Sequence, residues 1–208
     1  MDNSFLSLSQ GISTYITSSM SRGTVFFTED LDPLNIDPFV LRTTLSRMVQ
    51  EGTLIVRLAR GVFCYPRLEE YSMKVILPPL EAVAEALAAR WHVRIAPCGA
   101  QAAYLAGLTG LQTHPLTYIS DGSAQHFNLQ NGRRIEFIRR KSVKVFSFRN
   151  ERLRNLVEGL RYLGKENVGE FELGVAKATL PEIPSGDFFH DIRLAPVWIQ
   201  DTLRSLLP

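Results

Sequence analysis

The sequence predicts an α+β protein with two domains, and three observations support this prediction. An amphipathic helix runs directly into a short hairpin near the N-terminus, strand-like and helical segments alternate through the middle, and helical patterns fill the last part of the 208-residue chain. We expect a winged helix-turn-helix domain over residues 1–67 and a connector over residues 68–79. Residues 80–208 should form a mixed α/β domain with short antiparallel strands flanked by helices.

The segment that starts at Asp37 predicts the most distinct helix of the chain. Asp37 can cap this helix, and Pro38 suits its first position because no N–H is needed there. At a hundred degrees per residue, one side of the helix is apolar and carries Leu41, Leu45, Met48 and Val49. The opposite side is polar and carries Arg42, Thr43, Ser46, Arg47 and Gln50. Gly52 is expected to end the helix.

The elements around this helix predict the order of a winged helix-turn-helix domain. A hairpin follows the helix, with apolar alternation in strands over residues 54–58 and 62–65. A first helix, an extended segment and a short capped helix precede it, in turn over residues 4–20, 22–27 and 28–31. Helix, strand, short helix, long helix and hairpin is the order of that fold.

Charge is distributed unevenly over this first domain, although the net charge of +2 and the pI of about 8.6 are unremarkable for the whole chain. Residues 40–67 contain five arginines and one glutamate, whereas residues 23–39 contain four acidic residues and no lysine or arginine. The basic charge therefore lies on the predicted long helix and hairpin, where the phosphates of a bound duplex would lie.

A polar helix face beside a short basic hairpin is typical of the recognition helix and wing of a DNA-binding domain. Arginine and glutamine offer the bidentate geometry that reads guanine and adenine edges, while serine and threonine mostly bind phosphate. The candidate DNA-binding residues are Arg42, Thr43, Ser46, Arg47, Gln50, Arg57 and Arg60. The alternative is an ordinary amphipathic helix whose polar side faces water.

The second half of the chain predicts short strands between helices. Helical spacing occurs near residues 80–91, 100–108, 150–163, 170–179 and 197–207. Strand patterns occur near residues 93–96, 117–120 and 143–148, and a hairpin is expected over residues 126–137. A three-residue loop from Asn131 to Arg133 would place Leu129 opposite Ile135 in that hairpin and keep both on the apolar face.

A second basic cluster follows the hairpin loop, with nine basic and two acidic residues between positions 133 and 154. Its candidate surface residues are Arg133, Arg134, Arg139, Arg140, Lys141 and Lys144. Strand alternation would expose several of them on one sheet face, as a surface for nucleic acid or for an acidic partner. The alternative is an edge strand whose charges protect it against aggregation.

Metal-dependent and catalytic functions find little support in the sequence. Two cysteines, Cys64 and Cys98, exclude a disulfide framework and a zinc finger, and the four histidines share no metal-ligand spacing. Gly122-Ser123 is similar to the Gly-Ser start of nucleotidyltransferases, but no Asp-x-Asp pair follows to bind a metal ion, so Asp121-Gly122-Ser123 fits a polar turn. His190-Asp191 is a conceivable catalytic pair without an identifiable nucleophile. We expect no enzyme, no metal and no cofactor. With no signal peptide and no apolar run of about 18 residues, we expect a cytoplasmic protein without a membrane partner.

Short stretches spread along the chain together resemble a known protein family in their order and spacing. In the first domain they are Arg22 to Phe26, Leu45 to Leu54, and Arg60 to Pro66. In the second domain they are Ile95 to Ala100, Ala106 to Leu108, Tyr118 to Gly122, and Leu160 to Gly164. These residues resemble the AbiEi-like antitoxins of type IV abortive-infection systems over most of residues 1–165. Phe63 departs from the family, which more often has tyrosine there, so one phosphate contact of the family is in doubt.

The resemblance implies a transcriptional regulator with antitoxin activity. The winged helix would bind double-stranded operator DNA in the promoter of its own toxin–antitoxin operon. The C-terminal domain would counter a nucleotidyltransferase-type toxin encoded alongside, without the need for a stable complex. Two other functions stay open: a non-enzymatic interaction protein whose winged helix binds protein, and a cryptic enzyme in the C-terminal domain.

Overall fold

The chain is an α+β protein that divides into two compact units. The computed structural model describes residues 3–52, 54–112, 114–130 and 132–207. The first unit comprises Met1–Leu87 and Asn128–Arg133, and the second comprises Ala88–Phe127 and Arg134–Pro208. The first unit is thus larger than the predicted domain over residues 1–67, because the connector, the start of the next helix and a hairpin loop group with it.

The first unit contains two α-helices and a small antiparallel sheet, whose last two strands follow the second helix. Its elements begin with α1 (Asn3–Ser19), β1 (Val25–Phe27), a 3₁₀ helix (Thr28–Leu34) and α2 (Pro38–Gln50). They continue with β2 (Val56–Ala59), β3 (Val62–Cys64), β4 (Arg67–Leu68) and β5 (Val75–Ile76). The order in the main sheet is β1-β3-β2, with both pairs antiparallel, so β1 adds to the β2–β3 hairpin.

Helix α2 begins where the sequence predicts, and the cap explains why. The Oδ1 atom of Asp37 accepts hydrogen bonds from the N–H groups of Phe39 at 2.9 Å and Val40 at 3.1 Å. Pro38 occupies the first turn. After Gln50 the chain leaves the helix through Gly52, whose φ of +62° is the left-handed conformation that glycine tolerates best.

The apolar side of α2 packs into the core of the first unit, as its spacing predicts. Leu41, Leu45 and Met48 are at most 3% exposed. They pack in one buried cluster with residues from α1, the sheet and the 3₁₀ helix, namely Ile12, Ile16, Phe26, Leu31, Ile55, Phe63 and Tyr65. This cluster fixes which side of α2 faces outward.

The second unit contains a four-stranded sheet and the C-terminal helices. Helix α3 (Leu80–Arg90) crosses the boundary between the units. It is followed by β6 (Ile95–Pro97), α4 (Gly99–Leu105), β7 (Leu116–Ser120), β8 (Gln125–Asn128) and β9 (Arg134–Arg139). After a 3₁₀ helix (Lys144–Ser147), the chain forms α5 (Glu151–Leu163), α6 (Glu170–Thr179), α7 (Ser185–Asp191) and α8 (Val197–Ser205).

The sheet of the second unit contains short antiparallel strands, as predicted, but one of its strand pairs is parallel. Its strand order is β6-β7-β9-β8. β6 and β7 pair antiparallel, but β7 and β9 pair parallel, with Tyr118 opposite Phe137. The parallel pair arises because β9 lies between β7 and β8, which leaves β8 rather than β9 at the edge.

The segment from Val143 to Phe148 forms the 3₁₀ helix Lys144–Ser147 and not the predicted strand. Val145 is buried, and its neighbour Phe146 is partly buried against the same cluster of Ala96, Cys98 and Ile119. Adjacent residues of a strand point to opposite faces, whereas a helical turn can direct both to one side. Packing of consecutive residues therefore decides the conformation here.

The connection between β8 and β9 departs from the predicted placement of Leu129 opposite Ile135. The N–H of Leu129 donates to the carbonyl of Arg133 at 2.8 Å, and that of Gly132 donates to the carbonyl of Leu129 at 3.0 Å. Leu129 is therefore bonded to Arg133. Gly132, at φ +76°, supplies the left-handed residue that such loops require. Asn131, also part of the predicted loop, lies outside the described residues.

Helices α4 and α5 approach so closely that only small residues fit between them. A Cβ atom added to Gly159 would lie 2.8 Å from the Cα atom of Ala103 and 2.8 Å from a methyl group of Leu108. Ala103 and Leu108 belong to the same buried cluster as Leu156 and Leu160 of α5. This pair of helices forms the centre of the second unit.

Candidate nucleic-acid interface

A groove in the first unit brings together four of the seven candidate DNA-binding residues. It lies between the start of α2 and the β2–β3 hairpin and has a volume of about 870 Å³. The predicted residues that line it are Arg42, Ser46, Arg57 and Arg60, and we call it the α2–hairpin groove. Residues 42 and 60, which are far apart in the sequence, thus line the same groove.

Ser46 and Arg57 are bonded to each other across the α2–hairpin groove. The Nη2 atom of Arg57 donates to the Oγ atom of Ser46 at 2.7 Å, and the Ser46 hydroxyl donates to the carbonyl of Arg42 at 2.9 Å. The guanidinium of Arg57 also lies 5.4 Å from the ring centroid of Phe63. Ser46 therefore orients Arg57, a structural role in addition to any contact with a ligand.

Arg42 and Arg60 are exposed on opposite walls of the α2–hairpin groove. The Nε atom of Arg42 donates to the carbonyl of Pro38 at 2.9 Å, so its guanidinium is held along the first turn of α2. Arg60 stands at the tip of the hairpin, where Gly61 takes a left-handed φ of +73° and makes the turn tight. Both positive charges can reach a ligand at the mouth of the groove.

Thr43, Arg47 and Gln50 are exposed on the side of α2 that turns away from the groove. At a hundred degrees per residue, they lie about 100°, 140° and 80° around the helix from Arg42. The hydroxyl of Thr43 donates to the carbonyl of Phe39 at 2.9 Å, as threonines within helices often do. The seven candidates thus form one broad surface in which four line the groove and three flank it.

Two carboxylates share the α2–hairpin groove with the arginines. Glu29 and Asp32, on the 3₁₀ helix, also line the groove. The acidic and basic segments that are separate in the sequence therefore meet in one groove. A phosphate backbone would be attracted to the arginines and repelled from the carboxylates, which restricts the orientations of a bound polyanion.

Phe39 and Val40 are functional candidates that the sequence reasoning missed. Phe39 is 75% exposed and Val40 is 39% exposed, although both are apolar. The exposure of Phe39 could be predicted from helical spacing, because position 39 falls about 60° from Arg42 and hence within the polar side of α2. The candidates chosen from the sequence are charged or hydrogen-bonding side chains, and Phe39 is neither.

The residues of the second basic cluster differ in their surroundings. Arg133 belongs to the first unit and the rest of the cluster to the second. Arg140 is drawn inward, where its Nη1 atom lies 2.7 Å from the Oε2 atom of Glu158, whose side chain is 4% exposed. Arg134 and Arg139 are five positions apart on β9 and so leave opposite faces of the sheet. Arg134 also pairs with Glu136 at 3.0 Å.

Lys141 and Lys144 are exposed after the end of β9. Since β9 lies between β7 and β8, the alternative that its charges protect an edge strand is wrong. Arg140 is thus held in an ion pair with a buried carboxylate, whereas Arg139, Lys141 and Lys144 are exposed.

The carboxylate of Asp191 has a structural role. Its side chain is 0% exposed, and its oxygens accept hydrogen bonds from the N–H groups of Arg149 at 2.9 Å and Asn150 at 2.8 Å. The Nδ1 atom of His190 lies 2.7 Å from its other oxygen. Asp191 thus holds the residues that lead into α5, where Asn150 caps the helix through Leu153.

The other polar and thiol groups that the sequence singles out are likewise engaged in the fold. Asp121 accepts hydrogen bonds from the Nε and backbone N–H of Arg94, both at 2.8 Å, and these bonds hold the pKa of its carboxyl below the ordinary value. Cys64 and Cys98 are buried, and burial raises the pKa of each thiol to about 11.

Among the described residues, no group of three or more His, Cys, Asp and Glu side chains is placed to hold a metal ion. Nor does any helix within the described ranges have both the length and the apolar character that a membrane span needs.

The model of a protein family described as "Family of unknown function (DUF6088)" matches residues 12–182 of the chain. No curated protein matches the sequence.

Proposed function

Because the chain belongs to the DUF6088 family, whose function is unknown, we propose its function from the geometry of the first unit: sequence-specific binding of double-stranded DNA. The observation that carries this proposal is the α2–hairpin groove, in which Arg42, Arg57 and Arg60 line the space between an exposed helix face and a hairpin. Phosphates of a duplex supply the complementary charge.

The proposal includes a winged helix-turn-helix fold for the first unit. Supporting it, α1, β1, the 3₁₀ helix, α2 and the β2–β3 hairpin follow the order of that fold, and β1 pairs with β3 in the sheet. In this proposal α2 is the recognition helix and the β2–β3 hairpin is the wing. At 13 residues α2 is about 20 Å long, which suits the major groove.

The arginines and Gln50 then have roles in the complex that follow from their chemistry and position. Arg42 and Arg47 are placed to read guanine edges or to bind phosphate from α2, and Gln50 offers an amide for adenine. Arg60 at the tip of the wing reaches a phosphate or the minor groove. Arg57 is held by Ser46 and contributes charge from the floor of the α2–hairpin groove.

The biological role we propose is repression of a toxin–antitoxin operon that encodes the protein itself. This part rests on the residues that resemble AbiEi-like antitoxins, such as Arg22 to Phe26 and Tyr118 to Gly122. The second unit would counter a nucleotidyltransferase-type toxin encoded in the same operon. Expression of that neighbouring gene alone should stop growth, and co-expression of this chain should restore it. Unrelieved growth arrest would contradict the antitoxin role and leave DNA binding standing.

Salt dependence of binding tests DNA recognition itself. Fluorescence anisotropy would measure the affinity for a duplex from the region upstream of the gene and for an unrelated duplex. Four phosphate contacts predict an affinity loss of about 100-fold between about 50 and 200 mM salt. The upstream duplex should bind more tightly at every salt concentration. Equal affinities for the two duplexes, or no change with salt, would contradict the proposal.

A second candidate function is binding of a protein by the same groove. The observation that favours it is the presence of Glu29 and Asp32 in the same groove as the arginines, because a surface with both charge signs suits another protein. The two functions differ in the Asp32→Asn variant. Removal of this negative charge should strengthen DNA binding several-fold and should weaken binding of a partner whose basic residue pairs with it.

A further inference from the structure

Phe39 occupies an unusual position for a large apolar side chain. It lies in the first turn of α2 and is 75% exposed, whereas Leu41, Leu45 and Met48 of the same helix are at most 3% exposed. Burial of a phenylalanine side chain stabilises a folded protein. The fold forgoes that contribution at Phe39, so the ring is available to a partner.

The ring of Phe39 lies in the middle of the polar side of α2. Around the helix axis it is about 20° from Ser46 and about 40° from Thr43, with Arg42 on one side and Arg47 on the other. It also belongs to the N-terminal turn, and residues near that end of a recognition helix come closest to the bases. Arg42 and Arg47 therefore flank the Phe39 ring at the end of α2 that would come closest to the bases in the major groove of a duplex.

We propose that Phe39 contacts the C5-methyl group of a thymine in the major groove and so determines specificity for that base. This inference rests on the proposed DNA binding. The thymine methyl is the apolar group among the base edges of the major groove, and phenylalanine is one of the side chains that contact it. The positive charges of Arg42 and Arg47 on both sides complement the phosphates that flank such a base.

A combined protein and DNA substitution tests this contact. The wild-type protein would first select its operator from random duplexes, and each thymine of that operator would then be replaced by deoxyuridine, which removes only the methyl group. At one position the replacement should weaken wild-type binding about fourfold, as expected for loss of one buried methyl group. The Phe39→Ala protein should bind the thymine operator about tenfold more weakly and should not distinguish thymine from deoxyuridine at that position.

Salt dependence and a matched variant complete the test. Because the contact is apolar, Phe39→Ala should lower affinity by the same factor at all salt concentrations and leave the slope of log affinity against log salt unchanged. Phe171→Ala removes a ring that is 63% exposed on α6 of the second unit and should change neither affinity nor slope. Thermal unfolding should be unaffected by either substitution, because both rings are exposed.

Two results would overturn the inference while DNA binding stands. One is an operator in which no deoxyuridine replacement affects wild-type binding. The other is a Phe39→Ala protein with wild-type affinity, which would assign the ring to a protein partner instead. If random duplexes yield no operator at all, the proposed DNA recognition fails and the inference fails with it, so the two failures are distinguishable.

Discussion

The side chain of Arg57 on β2 donates a 2.7 Å hydrogen bond to the hydroxyl of Ser46 on α2. Because the same hydroxyl donates to the carbonyl of Arg42 at 2.9 Å, its donor and one of its acceptor sites are both occupied within the protein. The bond ties the hairpin to the helix. If the two elements bind DNA as recognition helix and wing, this contact fixes the distance between them.

Ser46→Ala should destabilise the first unit by about 1–2 kcal/mol, because a charge-assisted hydrogen bond to a half-buried guanidinium is lost. Thr43→Ala is the matched control. Its hydroxyl also donates to the carbonyl four residues earlier, but it lies on the exposed side of α2. That change should stay within about 0.5 kcal/mol, and alanine improves helix propensity at both positions. Urea unfolding followed by far-ultraviolet circular dichroism measures the free energy of unfolding of both variants. Equal losses of stability would contradict the role of the Ser46–Arg57 bond.

Arg140→Ala should destabilise the second unit by about 3 kcal/mol, whereas Arg139→Ala should change stability by less than about 0.5 kcal/mol. Both substitutions remove one positive charge. Of the two, Arg140 alone pairs with the buried carboxylate of Glu158, at 2.7 Å, and after its loss Arg161 at 3.3 Å is the remaining ion-pair partner of that carboxylate among the described residues. Both tryptophans of the chain, Trp91 and Trp198, lie in the second unit, so their fluorescence reports its unfolding. Similar stabilities of the two variants would show that the ion pair contributes little.

Cys64 and Cys98 should resist alkylation in the native protein at pH 8. Both are at most 1% exposed, and with a pKa of about 11 only about one thiol in a thousand is ionised at that pH. Iodoacetamide labelling followed by mass spectrometry should therefore be slow until a denaturant is added. Labelling of the native protein as fast as that of the unfolded chain would contradict the burial of these thiols.

The same pKa shift predicts the effect of pH on stability. The folded pKa of each thiol is raised above its ordinary value of 9.0, so the folded state favours the protonated form. The contribution to stability is complete below pH 9 and is lost as the pH rises towards 11. Replacement of either cysteine by alanine should remove part of this alkaline loss, and an unchanged pH profile would exclude these groups as its cause.

Local signals explain which parts of the fold could be predicted from the sequence. Asp37 and Pro38 define the start of α2, and the spacing of its leucines defines the buried side. The position of β9 between β7 and β8 could not be predicted, because strand order depends on pairing between distant segments. For Val143 to Phe148, packing of the neighbours Val145 and Phe146 on one cluster outweighs an alternating pattern.

In the candidate site, too, features that depend on neighbouring residues could be predicted, whereas contacts between distant segments could not. The polar side of α2 follows from residue spacing, and so does its exposure. That Arg57 is held by Ser46 depends on where β2 lies beside the helix. The ion pair of Arg140 with Glu158, 18 residues away, likewise requires the fold, and it removes one arginine from the predicted second basic surface. Charge counts along a sequence do not distinguish an exposed arginine from one that compensates a buried carboxylate.

The most direct test of the central claim compares two triple variants in the salt dependence of DNA affinity. The first carries Arg42→Ala, Arg47→Ala and Arg60→Ala on α2 and the wing, and the second carries Arg134→Ala, Arg139→Ala and Lys141→Ala in the second unit. Both lose three positive charges. We predict that the slope of log affinity against log salt falls by about 2–3 in the first variant and stays unchanged in the second, since each lost phosphate contact removes about 0.9. An unchanged slope in the first variant, or an equal loss in both, would contradict DNA binding by the first unit.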